Sequence, residues 1–282
     1  MKRRLGFLLF LSMLVLAFSA ATSAAAKTVY LAEKEQFYSY DQKKKKYELI
    51  WVTDITFDKD GRRIGESGKT PKGDQTAKTT TTISYKNGQM DTVTTLYTVK
   101  NSRNQSYSRK ETIKYSYQNK LQVSYTRETV LKQNGGRRLT EKGKVVNAFD
   151  KKGNLIGFKE YDAAGKLVSS TAYTLDKNGR TIGIVQEVSG IGKNTSSISY
   201  YSDGALKTVT AKNADGTSSI TDYNPYSLIT KVRTTRGGIT TTDSYSYSYY
   251  KKGFPKEKVH SVDGKIIEKT VYSNFKAFAY KQ

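Results

Sequence analysis

Few residues in this chain are equipped for bond-making chemistry. His260 is the only histidine, and there is no cysteine. Paired-histidine and thiolate metal sites, thiol nucleophiles and disulfides are therefore excluded. One histidine leaves a single candidate for activating a hydroxyl, and such a triad is defined by geometry rather than by composition. His260 lies in Lys258-Val259-His260-Ser261-Val262 and reads as a surface position on a β-strand. Asp58-Lys59-Asp60-Gly61 and Asp176-Lys177-Asn178-Gly179 look like the opening of a calcium loop. An EF-hand loop also requires further oxygen ligands and a bidentate Glu at its last position. Lys69 occupies that place in the first copy. The second has Glu187 there, but Arg180 and Ile182 at inner ligand positions. Both read as turns. Glu160, Asp162, Glu187 and Asp222 are scattered rather than paired for glycoside hydrolysis. Gly190-Ile191-Gly192-Lys193 lacks the spacing of a phosphate-binding loop. The expectation is a protein without catalytic residues, metal or cofactor.

Binding chemistry is better represented. The formal charge is +23, more than solubility demands of a chain this size. Basic residues collect at Lys43, Lys44, Lys45 and Lys46, at Arg137 and Arg138, at Lys142 and Lys144, at Lys151 and Lys152, and at Lys251, Lys252, Lys256 and Lys258. Part of this protects sheet edges from aggregation. The remainder creates a field that attracts polyanions: anionic cell-wall polymer, acidic polysaccharide or lipid head groups. Trp51, Tyr245, Tyr247 and Tyr249 offer flat faces for stacking on sugar rings. The alternative for these rings is packing on one another across strands.

The elements that must position these groups are strands. After residue 26 no run shows helical spacing of apolar residues, whereas 22 Tyr, 22 Gly and only 3 Pro accompany abundant Thr and Ser. A short pattern of aromatic, Asp, two polar residues, Gly and an apolar residue recurs. Phe149–Leu155, Tyr161–Leu167 and Leu175–Gly179 carry it, Phe57–Gly61 opens another copy, and Tyr201–Leu206 is shorter by one. Asp caps a tight turn and Gly supplies positive φ. Each copy thus predicts two antiparallel strands joined by a turn. Asn87-Gly88 and Asp263-Gly264 are further hairpin signals. Ser244, Ser246 and Ser248 alternate with Tyr245, Tyr247 and Tyr249, so each strand has one wet face. The predicted fold is all-β: consecutive antiparallel hairpins in an elongated, twisted or curled sheet.

The amino-terminal segment reads differently. Lys2, Arg3 and Arg4 precede the apolar run Leu5–Phe18, and Ala24-Ala25-Ala26 follows. This is the pattern of a secretory signal peptide over residues 1–26, whose removal lowers the charge from +23 by three to +20. Residues 27–282 form the β-repeat domain, with a soft boundary near 136–146. Export places the protein outside the cytoplasm or on the envelope, without a transmembrane helix, and argues against nucleic acid as partner. Strands such as Thr79–Tyr85 show no apolar outward band, against a lipid-embedded barrel.

Phe149–Leu155, Tyr161–Leu167 and Leu175–Ile182 resemble the tyrosine–aspartate (YD) repeats of the rearrangement-hotspot family, most clearly over residues 145–210. The resemblance implies hairpins laid side by side in bacterial surface or secreted chains, with roles in cargo shells, surface attachment and carbohydrate binding. This chain is short for a shell. The functional expectation is a secreted, non-enzymatic repeat protein that binds anionic envelope polymers or saccharides. Two other readings stand beside it: an adhesive surface protein that takes a protein partner by strand addition, and an envelope enzyme or lipid carrier with a cup-shaped sheet.

Overall fold

The structure, a computed structural model, describes residues 27–70, 75–101, 105–134, 137–250 and 255–280. The signal-peptide reading falls outside these residues. The described chain forms strands β1 (Lys27–Asp41), β2 (Lys46–Phe57), β3 (Arg63–Lys69), β4 (Gln75–Lys86), β5 (Gln89–Asn101), β6 (Ser106–Gln118), β7 (Leu121–Gln133), β8 (Arg137–Phe149) and β9 (Leu155–Asp162). It continues through β10 (Leu167–Leu175), β11 (Thr181–Val188), β12 (Gly192–Tyr200), β13 (Leu206–Lys212), β14 (Ser218–Tyr223), β15 (Ile229–Arg236), β16 (Ile239–Tyr249), β17 (Pro255–Val262) and β18 (Lys265–Tyr280).

Each strand pairs antiparallel with the next in sequence. The sheet does not remain the open, curled ribbon expected from the sequence. β1 also pairs with β18, from Lys27 opposite Tyr280 to Ser39 opposite Glu268, and this ladder closes the ring. The result is an up-and-down barrel of 18 strands. A hairpin repeat defines each neighbour pair but carries no signal for the meeting of its first and last strands, which are more than two hundred residues apart. Strands spaced about 4.8 Å apart give this wall a perimeter of at least about 86 Å, wide enough for an open interior. All substantial strand contacts run between chain neighbours or between β1 and β18. The wall is therefore one layer thick.

The turn motif explains the repeated corners. Asp150 Oδ1 accepts the backbone N–H groups of Lys152 and Asn154 at 2.8 Å. Asp162 does the same for Ala164 and Lys166, and Asp176 for Asn178 and Arg180. Gly153, Gly165 and Gly179 adopt φ near +80° in these turns. Asn224 substitutes for Asp in the same geometry, and Ser227 takes the positive φ where the motif has Gly. These bonds favour the carboxylate form, so Asp150 and Asp176 are held below the usual carboxylate pKa. A register shift adjoins several corners, as at Thr56/Phe57, Ala148/Phe149 and Thr174/Leu175. These bulges strengthen local twist and help a sheet curl.

Register also sorts the side chains into two faces. Thr53, Ile55, Ile113, Thr129, Val145, Ser169, Thr171, His260 and Thr270 are buried and fall on the face that turns inward; Val52, on the other face, is an exception. Burial alternates with the strand period, as in the sequence from Lys78 to Tyr85. Outward positions on β4, β6, β12 and β16 are Lys, Thr and Ser over Lys78–Ser84, Ser108–Lys114, Lys193–Ser199 and Thr240–Ser248.

Candidate functional site

The charge expected from composition is distributed by this two-faced wall. Outward positions from β6 to β9 carry Lys110, Lys114, Lys132, Arg138, Lys142, Lys144 and Lys159. Lys132 faces Arg138 across the ladder, and Lys114 and Lys144 flank Thr126 from either side. Glu128 is the acid among them and lies 3.7 Å from Lys142. Lys114, Lys142, Lys144 and Tyr161 line an open groove of about 680 Å³, which the carboxylates of Glu128 and Asp162 also border. Same-face neighbours along a strand are about 6.7 Å apart, so these cations form a two-dimensional array rather than a pocket. Such an array suits a flexible, repeating anion.

Of the basic residues singled out from sequence, Arg138, Lys142 and Lys144 fall in this array and the other described ones do not join them. Lys43, Lys44 and Lys45 occupy the turn between β1 and β2, on one rim, and Lys46 opens β2 there. Lys44 is engaged there by Asp41 at 3.4 Å and Glu48 at 2.9 Å, and these acids raise its pKa. Arg137 and Arg138 begin β8 near that rim. Lys151 and Lys152 sit in the β8–β9 turn on the opposite rim. Lys251 and Lys252 lie outside the described residues. The wall lysines between the rims were the part missed, apart from Lys142 and Lys144. Their signal was the alternate spacing of Arg138, Lys142 and Lys144 in one strand and Lys110 and Lys114 in another.

Trp51, Tyr245 and Tyr247 face inward, not outward. One row across the ring runs Trp51, Phe37, Thr270, Lys258 and Tyr247. Trp51 lies over Gly68 and its Nε1 donates to Thr53 Oγ1 at 2.9 Å. Tyr247 donates to the Ile229 carbonyl at 2.8 Å and is 6.4 Å from Tyr249 between ring centroids. Burial pushes the phenols of Tyr245 and Tyr247 up to about 12. An alanine methyl at position 68 would approach Trp51 Cζ2 to 2.5 Å. Gly68→Ala should therefore displace the single Trp and shift its fluorescence to longer wavelength; an unchanged spectrum would contradict this packing.

His260 also faces the interior, which corrects its reading as a surface residue. Its Nε2 is 2.7 Å from Asp243 Oδ1 and its Nδ1 is 3.1 Å from Glu268 Oε1. Tyr245 stacks on the ring at 4.4 Å. Two carboxylates ask both ring nitrogens to donate, which only the imidazolium does. Burial opposes that charge, but the bonds to Glu268 and Asp243 outweigh it and raise the pKa above its usual 6.5. The stabilisation is therefore complete below the unfolded pKa and is lost as pH rises through the raised folded value. His260→Gln should lower stability by about 2 kcal/mol at pH 6, with the gap to the parent narrowing by pH 9. Urea midpoints across that range measure it, and a constant gap would count against the charged bridge. No group of three or more His, Cys, Asp or Glu side chains among the described residues is placed to hold a metal ion.

The fold and these two faces define an 18-stranded up-and-down barrel with a basic outer wall. No family model matches the sequence, and no curated protein matches it. Among solved structures, a porin-like protein from Bacteroides uniformis ATCC 8492 is similar at 12% identity and a TM-score of 0.46, covering 86% of this chain and 96% of that one. A porin-like protein from Bacteroides vulgatus ATCC 8482 is similar at 9% identity and a TM-score of 0.32, covering 84% and 96% respectively. A chain of the TcdB2-TccC3-Cdc42 structure matches at 13% identity and a TM-score of 0.32, and this protein spans 12% of its length.

Proposed function

We propose that this is an exported, non-enzymatic envelope protein that binds anionic polymers along its outer wall. The observation that carries the reading is the concentration of Lys114, Lys132, Arg138, Lys142 and Lys144 on one outward area with Glu128 as the acid among them. Lysines on a lipid-facing wall cost about 2–4 kcal/mol each at the bilayer centre, so the reading places this wall in water at the envelope rather than within lipid. The YD-like turns fit a surface or secreted chain. The expected ligand is an anionic cell-wall polymer, acidic polysaccharide or lipid head-group layer, held by exposed charge and therefore sensitive to salt. Purified cell walls should retain the protein at low salt and release it below roughly 0.5 M NaCl. Retention at high salt with release by a free neutral sugar would replace this reading with ring stacking by Trp51 and Tyr247. Absence of binding to wall, glycan and anionic vesicles would reject both.

A further inference from the structure

A closed ring leaves open sheet edges only where a strand outruns its neighbour's ladder, and the amino-terminal end of β1 is one such place. The ladder between β1 and β2 ends where Lys34 faces Asp54, whereas the ladder between β1 and β18 continues to Lys27 opposite Tyr280. Lys27–Glu33 therefore has β18 on one side and, among the described residues, no strand on the other. Its departure from β2 coincides with an irregularity: Asn274 has φ +55°, and the Glu33 position is skipped in the register. The opposite flank of this two-stranded extension is partly covered, since Tyr250 packs on Phe275 at 5.4 Å and donates to the Tyr272 carbonyl at 3.3 Å. The open edge is thus the β1 side, beside the β2–β3 rim.

We propose that this edge pairs with the same edge of a second copy of the chain. The segment reads Lys27-Thr28-Val29-Tyr30-Leu31-Ala32-Glu33. Antiparallel pairing about a two-fold axis through Tyr30 sets Lys27 opposite Glu33 at both ends, Thr28 opposite Ala32, and Val29 opposite Leu31. Opposite charges facing across a ladder stabilise it, and an isologous contact of this kind closes at two copies. Shifting the axis to Val29 puts Lys27 opposite Leu31, and shifting it to Leu31 puts Glu33 opposite Val29. Only the Tyr30 register pairs the charges. The contact joins one short strand to another, about six backbone hydrogen bonds, so the dimer is concentration-dependent. It does not depend on the polyanion reading.

The parent chain carries no cysteine, so one introduced thiol reports the register. Tyr30→Cys places two thiols directly opposite in the dimer. Thr28→Cys places them about 13 Å apart along the strands, beyond disulfide reach. With the exported protein at about 100 µM under mild oxidant, Tyr30→Cys should form covalent dimer at least ~10-fold faster than Thr28→Cys. In analytical ultracentrifugation, Lys27→Glu and Glu33→Lys should each weaken dimerisation about tenfold, and the double exchange should restore it. Each variant should keep the parent's thermal transition, because the segment lies beyond the last β1–β2 pair. A parent that stays monomeric at this concentration, equal cross-linking of the two thiols, or a double exchange no better than either single one would overturn the proposal.

Discussion

Replacing Gly157 by alanine should destabilise the barrel by about 3 kcal/mol, several times the effect of the same change in a neighbouring turn. Gly157 faces Ala148 of β8 on one side and Ala172 of β10 on the other. A methyl there would lie 2.3 Å from the Thr171 carbonyl oxygen and 3.3 Å from Ala172 Cα. Both obstacles are backbone and cannot swing aside. Relief requires β9 and β10 to part, which breaks ladder hydrogen bonds in a ring with little apolar core to compensate: Val52, Ile55, Ile113 and Val145 are its buried apolar side chains among the described residues. Gly165, in the β9–β10 turn, is the comparison. Nothing lies within 4 Å of its would-be methyl, but its φ is +79°. Gly165→Ala should therefore cost only about 1 kcal/mol. Urea unfolding of the two variants measures the difference, and equal losses would show that the β9–β10 approach is not fixed as described.

The contrast between these glycines shows what could be read in advance. Gly165 belongs to Tyr161–Leu167, and its turn was legible because an Asx cap and a positive φ are local demands written within five residues. Strand alternation was legible for the same reason: Ser246 and Tyr247 take opposite faces whatever lies beyond them. Gly157 was not legible as special, because its constraint is the backbone of a different strand. Closure of β1 on β18 is likewise a long-range fact. Once the ring closes, alternation acquires a direction, and this is where the site reading changed. Tyr245 and Tyr247 became wall lining rather than an external platform. His260, whose local sequence looks like a wet strand, found Asp243 and Glu268 on the two flanking strands. The lysines at turns are consecutive and stand out in the sequence, whereas Lys110 and Lys114 of β6 lie far in sequence from Lys142 and Lys144 of β8 and join them only through the register.

That distinction predicts unequal effects of equal charge changes. Reversing Lys114, Lys142 and Lys144 to Glu should weaken binding to an anionic wall polymer by about 100-fold near 0.1 M salt, if each contact contributes like a phosphate neutralised on a nucleic acid. The slope of log affinity against log salt should fall by about 2–3. Reversing Lys43, Lys44 and Lys45 alters the net charge by the same amount. Yet Lys44 already spends its charge on Asp41 and Glu48, and this turn stands on a rim, away from the groove formed by Lys114, Lys142 and Lys144. Its reversal should weaken binding by less than about fivefold, through the overall field alone. None of these six side chains is buried, so both variants should lose no more than about 1 kcal/mol of stability in urea through their exposed ion pairs, which separates lost binding from lost structure. Equal losses of affinity would mean that only net charge matters and that the β6–β9 array is no site. A larger loss from the rim variant would move the site to the β1–β2 turn.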